Sequence, residues 1–231
     1  MSYKEYFNNK KVTVMGLGLL GRGVGDALFL ARNGAEVTVT DLKTEQELAP
    51  SLEKLKPYKN IQFTLGEHKL SDFKDRDFIL KAAGVPLDSP YIAEARRNGI
   101  PIEMDASLFA KLMPEGVTII GVTGTRGKST TTALIYEILS SATRYTLHAT
   151  RSVYKGGNLV PEATLPLLEK VKSGDTVVLE LDSWQLQGFG ETQMSPHIAV
   201  FTNLSADHLT YYKGDMNAYF ADKVNIFAFQ S

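Results

Sequence analysis

The 231-residue sequence contains no cysteine. This absence excludes disulfide bonds, metal sites built from thiolates, and catalysis by a cysteine nucleophile. It also fits a reducing compartment, where structural disulfides are rare.

The sequence also lacks a long apolar run and a dominant charge. No stretch approaches the roughly 18 apolar residues of a membrane-spanning helix, and the polar N-terminus has no signal-peptide core. The net charge of −1 gives no general affinity for nucleic acids or anionic membranes. With 43% hydrophobic and 22% charged residues, we expect a soluble, cytoplasmic, monomeric protein without nucleic-acid or membrane partners.

Strands alternate with helices along the chain, which is typical of α/β domains with parallel sheets and crossover helices. A second cycle begins after Met113-Pro-Glu-Gly116, so we predict two domains, 1–112 and 113–231. The second is short and stops two residues after a helix, and we expect it to be incomplete. The predicted strands are 11–16, 36–41, 61–65, 77–80, 100–104, 117–122, 176–181 and 198–202. The predicted helices are 20–33, 44–56, 90–98, 128–141, 162–172 and 215–229.

The first glycine loop is Gly16-Leu-Gly-Leu-Leu-Gly21, between a predicted strand and a predicted helix. Asp41 ends the next strand, 20 residues after Gly21, which completes the fingerprint of a dinucleotide-binding domain. Gly18 would let the backbone approach a pyrophosphate, and Asp41 could accept hydrogen bonds from a ribose or base. Nucleotide-sugar diphosphates suit the same geometry, and a glycine-rich turn without a ligand is the alternative.

The second glycine loop is Gly121-Val-Thr-Gly-Thr-Arg-Gly-Lys-Ser-Thr-Thr131, again between a strand and a helix. It predicts binding of ATP or a close relative, with backbone amides around the β-phosphate, Lys128 at the β- and γ-phosphates and Ser129 on Mg²⁺. The general pattern requires glycine at position 122, which is valine here, so the loop is a variant.

Five other polar residues draw attention. Glu180 interrupts an apolar strand and is either a magnesium ligand or a salt-bridged or edge-exposed glutamate. Asp207 and His208 follow a strand end, where they could serve a metal or substrate, although capping or loop stabilisation is the commoner role. Asn158 would ordinarily occupy a turn, and Lys223 would ordinarily be a solvated surface charge.

Together with the two loops and Asp41, four further motifs carry a resemblance. They are Gly156-Gly-Asn-Leu159, Leu179-Glu-Leu-Asp-Ser-Trp-Gln-Leu186, Asn203-Leu-Ser-Ala-Asp-His-Leu209 and Tyr219-Phe-Ala-Asp-Lys-Val-Asn-Ile-Phe227. Each is weak alone, but in this order and spacing the chain resembles the Mur ligases of peptidoglycan synthesis. The resemblance is strongest to those that add D-glutamate to UDP-N-acetylmuramoyl-L-alanine. It implies a Rossmann-like N-terminal domain that binds UDP rather than NAD, and a P-loop-type α/β ATPase domain.

The resemblance also implies a reaction. The substrate carboxylate attacks the γ-phosphate of ATP to give an acyl phosphate, and an amino-acid amine then displaces phosphate. Catalysis would rest on positioning and charge neutralisation.

The roles implied for individual residues form four groups. The expected catalytic residues are Lys128, His208 and Lys223. The expected ATP-phosphate ligands are Gly124, Thr125, Arg126, Gly127, Lys128, Ser129 and Thr130. The expected contacts to the UDP-muramoyl substrate are Gly18, Leu19, Leu20, Asp41, Leu42, Lys43, Gly84, Asn158 and His208. The expected ligands of two Mg²⁺ ions are Ser129, Glu180, His208 and Lys223, the last as a carbamate formed with CO₂.

The sequence departs from the family pattern at several positions. Arg126 stands where asparagine is usual, so its side chain either adds charge at the phosphates or points to solvent. Leu20 and Leu42 replace hydroxyl residues, Ala82-Ala83 replaces Ser-Pro, and Asp182 replaces a serine. These changes affect the expected substrate contacts more than the ATP site.

Length is the largest departure, because the resemblance implies about 450 residues in three domains. We therefore expect a fragment or split-gene piece with little or no activity alone. Two alternatives remain at this point: a nucleotide- or UDP-sugar-binding module that has lost catalysis, and an NAD-dependent oxidoreductase suggested by the first loop alone.

Overall fold

The computed structural model describes residues 2–19, 21–144, 151–207 and 210–230. Its contacts divide the chain into two compact units. The first comprises Met1–Leu108 with Pro161–Pro166, and the second comprises Phe109–Val160 with Leu167–Ser231. The division thus follows Leu108 rather than residue 112, and it assigns a short later segment to the first unit.

The first unit contains a five-stranded parallel sheet in the order β3-β2-β1-β4-β5. Its strands are β1 (Lys11–Met15), β2 (Glu36–Asp41), β3 (Ile61–Leu65), β4 (Phe78–Lys81) and β5 (Ile102–Glu103). Its helices are α1 (Tyr3–Phe7), α2 (Arg22–Arg32), α3 (Glu45–Leu55) and α4 (Pro90–Arg97), with a 3₁₀ helix at Leu70–Phe73. Helix α5 (Asp105–Leu112) crosses the division between the units.

The central strands of this sheet are buried because helices cover parallel strands on both faces. Val12, Val14 and Ile79 are almost fully buried. Helix α3 begins at a capping box, in which Thr44 accepts from the Glu47 amide and Glu47 accepts from the Thr44 amide. The carboxyl ends of β1, β2 and β4 consequently meet at one edge, where the first glycine loop begins.

The second unit contains a four-stranded parallel sheet in the order β7-β8-β6-β9. Its strands are β6 (Thr118–Thr123), β7 (Val153–Gly157), β8 (Thr176–Glu180) and β9 (Ile198–Phe201). Its helices are α6 (Lys128–Arg144), α7 (Ser183–Glu191) and α8 (Met216–Val224). A 3₁₀ helix at Leu165–Glu169 crosses the division between the units. Strand β6 lies between β8 and β9, so the second glycine loop leaves from the interior of the sheet.

The α/β class and the parallel sheets are confirmed. The predicted helix 162–172 is wrong, because only a 3₁₀ helix forms there. Ala163 and Thr164 make tertiary contacts within the first unit instead. The Thr164 amide donates to Asp105 Oδ2 at 2.8 Å, and Ala163 packs close to Gly25 of α2.

Other differences are smaller. The last helix ends at Val224 rather than at 229, and turns follow it. The sequence patterns did not predict α1, α5, α7 or β7, which are short or contain glycines that weaken a periodic signal. Within the described parts of the chain, no helix is long and apolar enough to cross a membrane.

Candidate functional site

The phosphate loop, Gly124 to Gly127, connects the end of β6 to the first residue of α6, Lys128. Gly124 has φ +141° and Gly127 has φ +80°, values that favour glycine. A Cβ on Gly124 would also lie 2.0 Å from Thr202 Oγ1. The backbone conformation therefore favours glycine at both positions, and at Gly124 a side chain would also clash with Thr202.

The start of α6 presents its amides outward from the helix end. The Thr131 amide makes an early intrahelical bond, to Gly127 O at 2.9 Å. The amides of Lys128, Ser129 and Thr130 precede it and have no carbonyl one turn earlier within the helix. Ser129 and Thr130 are exposed, so this helix start can hold an anion.

Thr125 and Arg126 are placed differently from the rest of the expected phosphate ligands. The Thr125 side chain is buried, and its hydroxyl donates to Ser205 O and accepts from the Ser205 amide. The Arg126 side chain is exposed, while its backbone is bonded to Asn203. The structure thus turns the Thr125 hydroxyl away from the loop opening.

Two lysine ammonium groups meet at one backbone carbonyl of the loop. Lys128 Nζ donates to Gly124 O at 3.1 Å and to Thr125 O at 3.2 Å. Lys223 Nζ donates to the same Gly124 O at 2.9 Å and to Thr123 Oγ1 at 3.3 Å. Lys223 is 1% exposed, so the interpretation of this residue as a solvated surface charge is wrong.

The surroundings of Lys223 lower the pKa of its amine. Burial, and secondarily the nearby Lys128 ammonium, lower its pKa from 10.5 to about 8. Asp182, Asp207 and Asp222 act in the opposite direction. The neutral amine, which is the form that reacts with CO₂, is therefore more populated at a given pH than in an ordinary lysine.

Glu180 ends β8 directly beside β6, where it pairs in register with Val122. It is 3% exposed, and its Oε2 atom has no hydrogen-bond partner among the described residues. A buried carboxylate oxygen without a partner is costly. A bound cation would satisfy it, so the residues present fit a magnesium site.

The described ranges contain no group of three or more His, Cys, Asp or Glu residues that could hold a metal. The expected magnesium ligands are of another kind, since they combine one carboxylate with a hydroxyl and phosphate oxygens. His208, the expected ligand of a second ion and a substrate contact, lies outside the described residues.

Asn158 and Asp182 lie near the ends of β7 and β8. The Asn158 amide donates to Glu180 O at 2.8 Å, and Gly157, with φ +69°, permits this close approach. Asp182 caps α7 by accepting from the Gln185 amide at 2.7 Å. The replacement of serine by aspartate at this position therefore retains a good N-cap.

The backbone of the first glycine loop is hydrogen-bonded to the carboxylate of Asp41, at the end of β2. Asp41 Oδ2 accepts from the amides of Leu17 at 2.8 Å and Gly18 at 3.0 Å. Its Oδ1 accepts from the Lys43 amide at 2.9 Å. In this structure Asp41 organises the loop backbone. Leu19, within the same loop, is exposed.

Gly84 belongs to the turn that follows β4. Lys81, almost fully buried, donates from Nζ to the carbonyls of Ala82, Ala83 and Val85 at 3.2, 3.4 and 2.8 Å. Sequence reasoning did not single out Lys81, although a lysine that ends an otherwise apolar strand is a signal for it.

The expected residues thus gather in two places. In the second unit, the phosphate loop, Glu180, Asn158 and Lys223 lie at the carboxyl ends of β6, β7 and β8 or against them. In the first unit, Gly18, Leu19, Asp41, Leu42, Lys43 and Gly84 follow β1, β2 and β4. Leu20 lies outside the described residues. Thr202 and Asn203, which hold the phosphate loop, had no assigned role in the sequence reasoning.

Comparison with protein families gives two matches. Residues 10–104 match the model described as "Mur ligase MurD-like, N-terminal domain". Residues 122–231 match the "Mur ligase middle domain". The two models cover separate stretches, one for each glycine loop.

Curated relatives show similarity along nearly the whole chain. The UDP-N-acetylmuramoylalanine–D-glutamate ligase of Roseiflexus sp. (strain RS-1) is 42% identical over 96% of this chain and 45% of its own length. The ligase of the same name from Treponema pallidum (strain Nichols) is 39% identical over 98% of this chain and 43% of its own. The chain therefore spans about half the length of the curated relatives it matches.

Solved structures agree at the level of fold. The crystal structure of the UDP-N-acetylmuramate-alanine ligase MurC from Thermotoga maritima aligns with a TM-score of 0.53 and 28% identity, covering 94% of this chain and 47% of that one. A murein peptide ligase from Psychrobacter arcticus aligns with a TM-score of 0.52 at 15% identity over 96% of this chain and 47% of its own, which shows the fold alone. With two family models and relatives at about 40% identity, the chain belongs to the Mur ligase family and contains its MurD-like N-terminal domain and its middle domain.

Proposed function

We propose that this chain carries the UDP-substrate and ATP-phosphate sites of an ATP-dependent, ADP-forming ligase. The ligase would join D-glutamate to UDP-N-acetylmuramoyl-L-alanine in peptidoglycan precursor synthesis, within the cytoplasm. The printed name of the curated relatives supports the choice of substrates. The monomeric state and the absence of nucleic-acid or membrane partners stay predictions from the sequence.

One observation carries the proposal. The ammonium groups of Lys128 and Lys223 converge on Gly124 O at the phosphate loop. Glu180 ends the neighbouring strand in register with Val122, and its buried Oε2 has no hydrogen-bond partner among the described residues. Such a grouping of cations, a buried carboxylate and a helix start suits a polyphosphate with a divalent cation better than a neutral ligand.

The amides at the start of α6 would hold the phosphates, and Lys128 would exchange its two loop carbonyls for phosphate oxygens. Because the transferred phosphoryl group carries charge on several oxygens, fixed cations stabilise it as it moves. Lys128 would thereby position the γ-phosphate for attack by the substrate carboxylate. The products of this step are an acyl phosphate and ADP. The amine of D-glutamate would then form the amide and release phosphate.

Ser129 Oγ and Glu180 would hold one Mg²⁺, and His208 together with a carbamate on Lys223 would hold a second. A bound Mg²⁺ supplies positive charge that neutralises phosphate oxygens. The Lys223 amine, with its lowered pKa, would gain a carboxylate by adding CO₂ and losing a proton. This change replaces a cation beside Lys128 with an anion.

The first unit would bind the UDP end of the substrate. Gly18, Leu19, Leu20 and Gly84 would contact it through the backbone, with Asp41, Leu42 and Lys43 beside them. Asn158 and His208 would contact the muramoyl-alanine end. The organisation of the loop amides by Asp41 supports a site that is largely preformed.

Trapping the acyl phosphate tests the proposal. The purified chain is incubated with UDP-N-acetylmuramoyl-L-alanine, MgATP and hydroxylamine, and the hydroxamate is measured by mass spectrometry. Because the chain spans about half the length of its relatives, we expect only a small amount of hydroxamate from the wild type, and none from Lys128→Ala. Binding of both ligands without hydroxamate would instead favour a catalytically incomplete binding module.

A competition experiment addresses the first unit separately. We expect UDP to displace UDP-N-acetylmuramoyl-L-alanine, and NADH to leave it bound. Tight binding of NADH that UDP does not displace would overturn the assignment of the first glycine loop.

A further inference from the structure

The segment Thr202 to Ser205 leaves β9 and runs against the phosphate loop. Strand β9 pairs with β6, and Phe201 lies in register with Thr123. The residues that follow these two positions are therefore neighbours: the phosphate loop after β6 and the Thr202–Ser205 segment after β9.

The side-chain amide of Asn203 forms hydrogen bonds with both the N–H and the C=O group of the Arg126 backbone. The Arg126 amide donates to Asn203 Oδ1, and Asn203 Nδ2 donates to Arg126 O, each at 3.0 Å. Reversing the side-chain amide would place a donor against a donor and an acceptor against an acceptor, so the chemistry fixes its orientation. The Thr125 amide donates to Asn203 O at 2.9 Å.

Neighbouring contacts strengthen this arrangement. Thr202 Oγ1 donates to Arg126 O at 2.7 Å, and the Thr125 hydroxyl exchanges hydrogen bonds with the Ser205 backbone. The segment thus engages both amides that precede Gly127. Among the described residues, the amides of Gly127, Lys128, Ser129 and Thr130 make no hydrogen bond to this segment.

We propose that Asn203 is a positioning residue that divides the amides of the phosphate loop into two sets. The amides of Thr125 and Arg126 stay bound to Asn203 when a nucleotide binds. The amides of Gly127, Lys128, Ser129 and Thr130 are then the ones that receive the phosphates. This inference rests on the proposed function of the loop and specifies how the loop is held ready for the polyphosphate.

Tripolyphosphate with Mg²⁺ is a suitable probe, since it needs only the phosphate contacts. In amide NMR spectra of the ¹⁵N-labelled chain, we expect it to shift the proton resonances of Gly127 to Thr130 downfield. The amide protons of Thr125 and Arg126 should keep their hydrogen-bonded shifts and their slow exchange with solvent.

The variant Asn203→Ala removes both side-chain hydrogen bonds to Arg126. We expect its affinity for Mg-tripolyphosphate to fall about tenfold, as the loss of two hydrogen bonds from a preorganised loop implies. The Arg126 amide should exchange rapidly in this variant. Asn203 is exposed, so the substitution leaves the apolar core intact.

Two further variants separate positioning from general destabilisation. Asn225→Ala removes a side-chain bond to Leu186 O elsewhere in the same unit, and we expect unchanged affinity despite some loss of stability. Thr202→Val leaves Asn203 in place on Arg126 O, so we expect a smaller loss of affinity than in Asn203→Ala.

The outcomes distinguish this inference from the proposed function. If Lys128→Ala binds the probe as tightly as the wild type, the phosphate site itself is refuted. If Lys128→Ala fails to bind but Asn203→Ala binds as tightly as the wild type, only the role of Asn203 is refuted. Loss of the Thr125 and Arg126 hydrogen bonds in the wild-type complex would also refute it.

Discussion

Lys223 shows how one residue can be misjudged from its local context. A lysine on a helix is typically a solvated surface charge, yet the Lys223 ammonium is buried against Thr123 and Gly124. Burial lowers its pKa to about 8 because the charged form loses its hydration, and Lys128 adds to this effect. The residue is therefore held in a state of raised free energy, which suits a group that is to be modified or to bind a ligand.

The pKa of Lys223 predicts how stability changes with pH. Between pH 8 and 10.5 the unfolded chain holds a proton on this amine that the folded chain has lost. Unfolding therefore takes up a proton, and the Lys223 contribution to the free energy of unfolding rises with pH by at most about 1.4 kcal/mol per pH unit. We measure the free energy of unfolding of the wild type and of Lys223→Met by urea denaturation in CO₂-free buffer. The wild-type value minus the variant value should rise with pH.

Other titrating groups cancel in that difference, since both proteins contain them. A difference in free energy of unfolding that stays constant from pH 8 to 10.5 would contradict the lowered pKa. Adding ¹³C-bicarbonate should then give a carbamate carbon signal in the wild type, which Lys223→Met lacks.

At the scale of elements, each glycine loop is held by the element beside it. The first loop is bonded to Asp41 at the end of β2, and Gly16 packs against Ala82 after β4. The second is bonded to Asn203 after β9. Neighbouring parallel strands thus supply both the loop and its support at the same edge of the sheet.

Two substitutions in the first loop separate packing from backbone strain. Gly16 and Gly18 both have positive φ, +94° and +63°, so alanine at either costs about 1–2 kcal/mol of stability. A Cβ at Gly16 would also lie 2.9 Å from Ala82 Cβ, whereas a Cβ at Gly18 meets nothing within 4 Å. We expect Gly16→Ala to lose about 1 kcal/mol more than Gly18→Ala in urea unfolding.

Ligand binding should show the opposite order. Because the space at Gly18 is open, a methyl group there would occupy the side from which a diphosphate approaches. We expect Gly18→Ala to weaken UDP binding more than Gly16→Ala does. Equal losses of stability in the two variants would contradict the contact between Gly16 and Ala82.

At the scale of the whole molecule, the chain consists of two compact units, each with its own parallel sheet and its own glycine loop. The family matches follow the same arrangement, with one model on each glycine loop. Under the proposed function, each unit would supply the backbone groups that bind its own anionic ligand.

Hydrogen exchange should locate the two ligands in different units. We expect UDP to slow exchange of the amides from Leu17 to Gly23, and Mg-tripolyphosphate to slow exchange of those from Gly127 to Thr130. Lys128→Ala should abolish only the second effect. Protection of both loops by a single ligand at saturating concentration would contradict this assignment.

The sequence by itself determined the α/β class, the two glycine loops and most strand boundaries. Strand alternation, glycine spacing and helix starts depend on residues a few positions apart, so they can be recognised without tertiary structure. The family resemblance added a list of expected site residues. From their local sequence alone, Glu180 could have been a salt-bridged or edge-exposed glutamate, and Lys223 a solvated surface charge.

The tertiary structure decided what those side chains contact. Lys223 reaches Gly124 across 99 positions of sequence, and Asn203 reaches Arg126 across 77. The tertiary structure also drew Pro161–Pro166 into the first unit in place of the predicted helix. Sheet pairing and side-chain burial bring such distant residues together, and no local pattern encodes their pairing. In the second unit, this pairing brings the buried Lys223 ammonium, the Glu180 carboxylate and the phosphate loop together at the carboxyl ends of adjacent parallel strands.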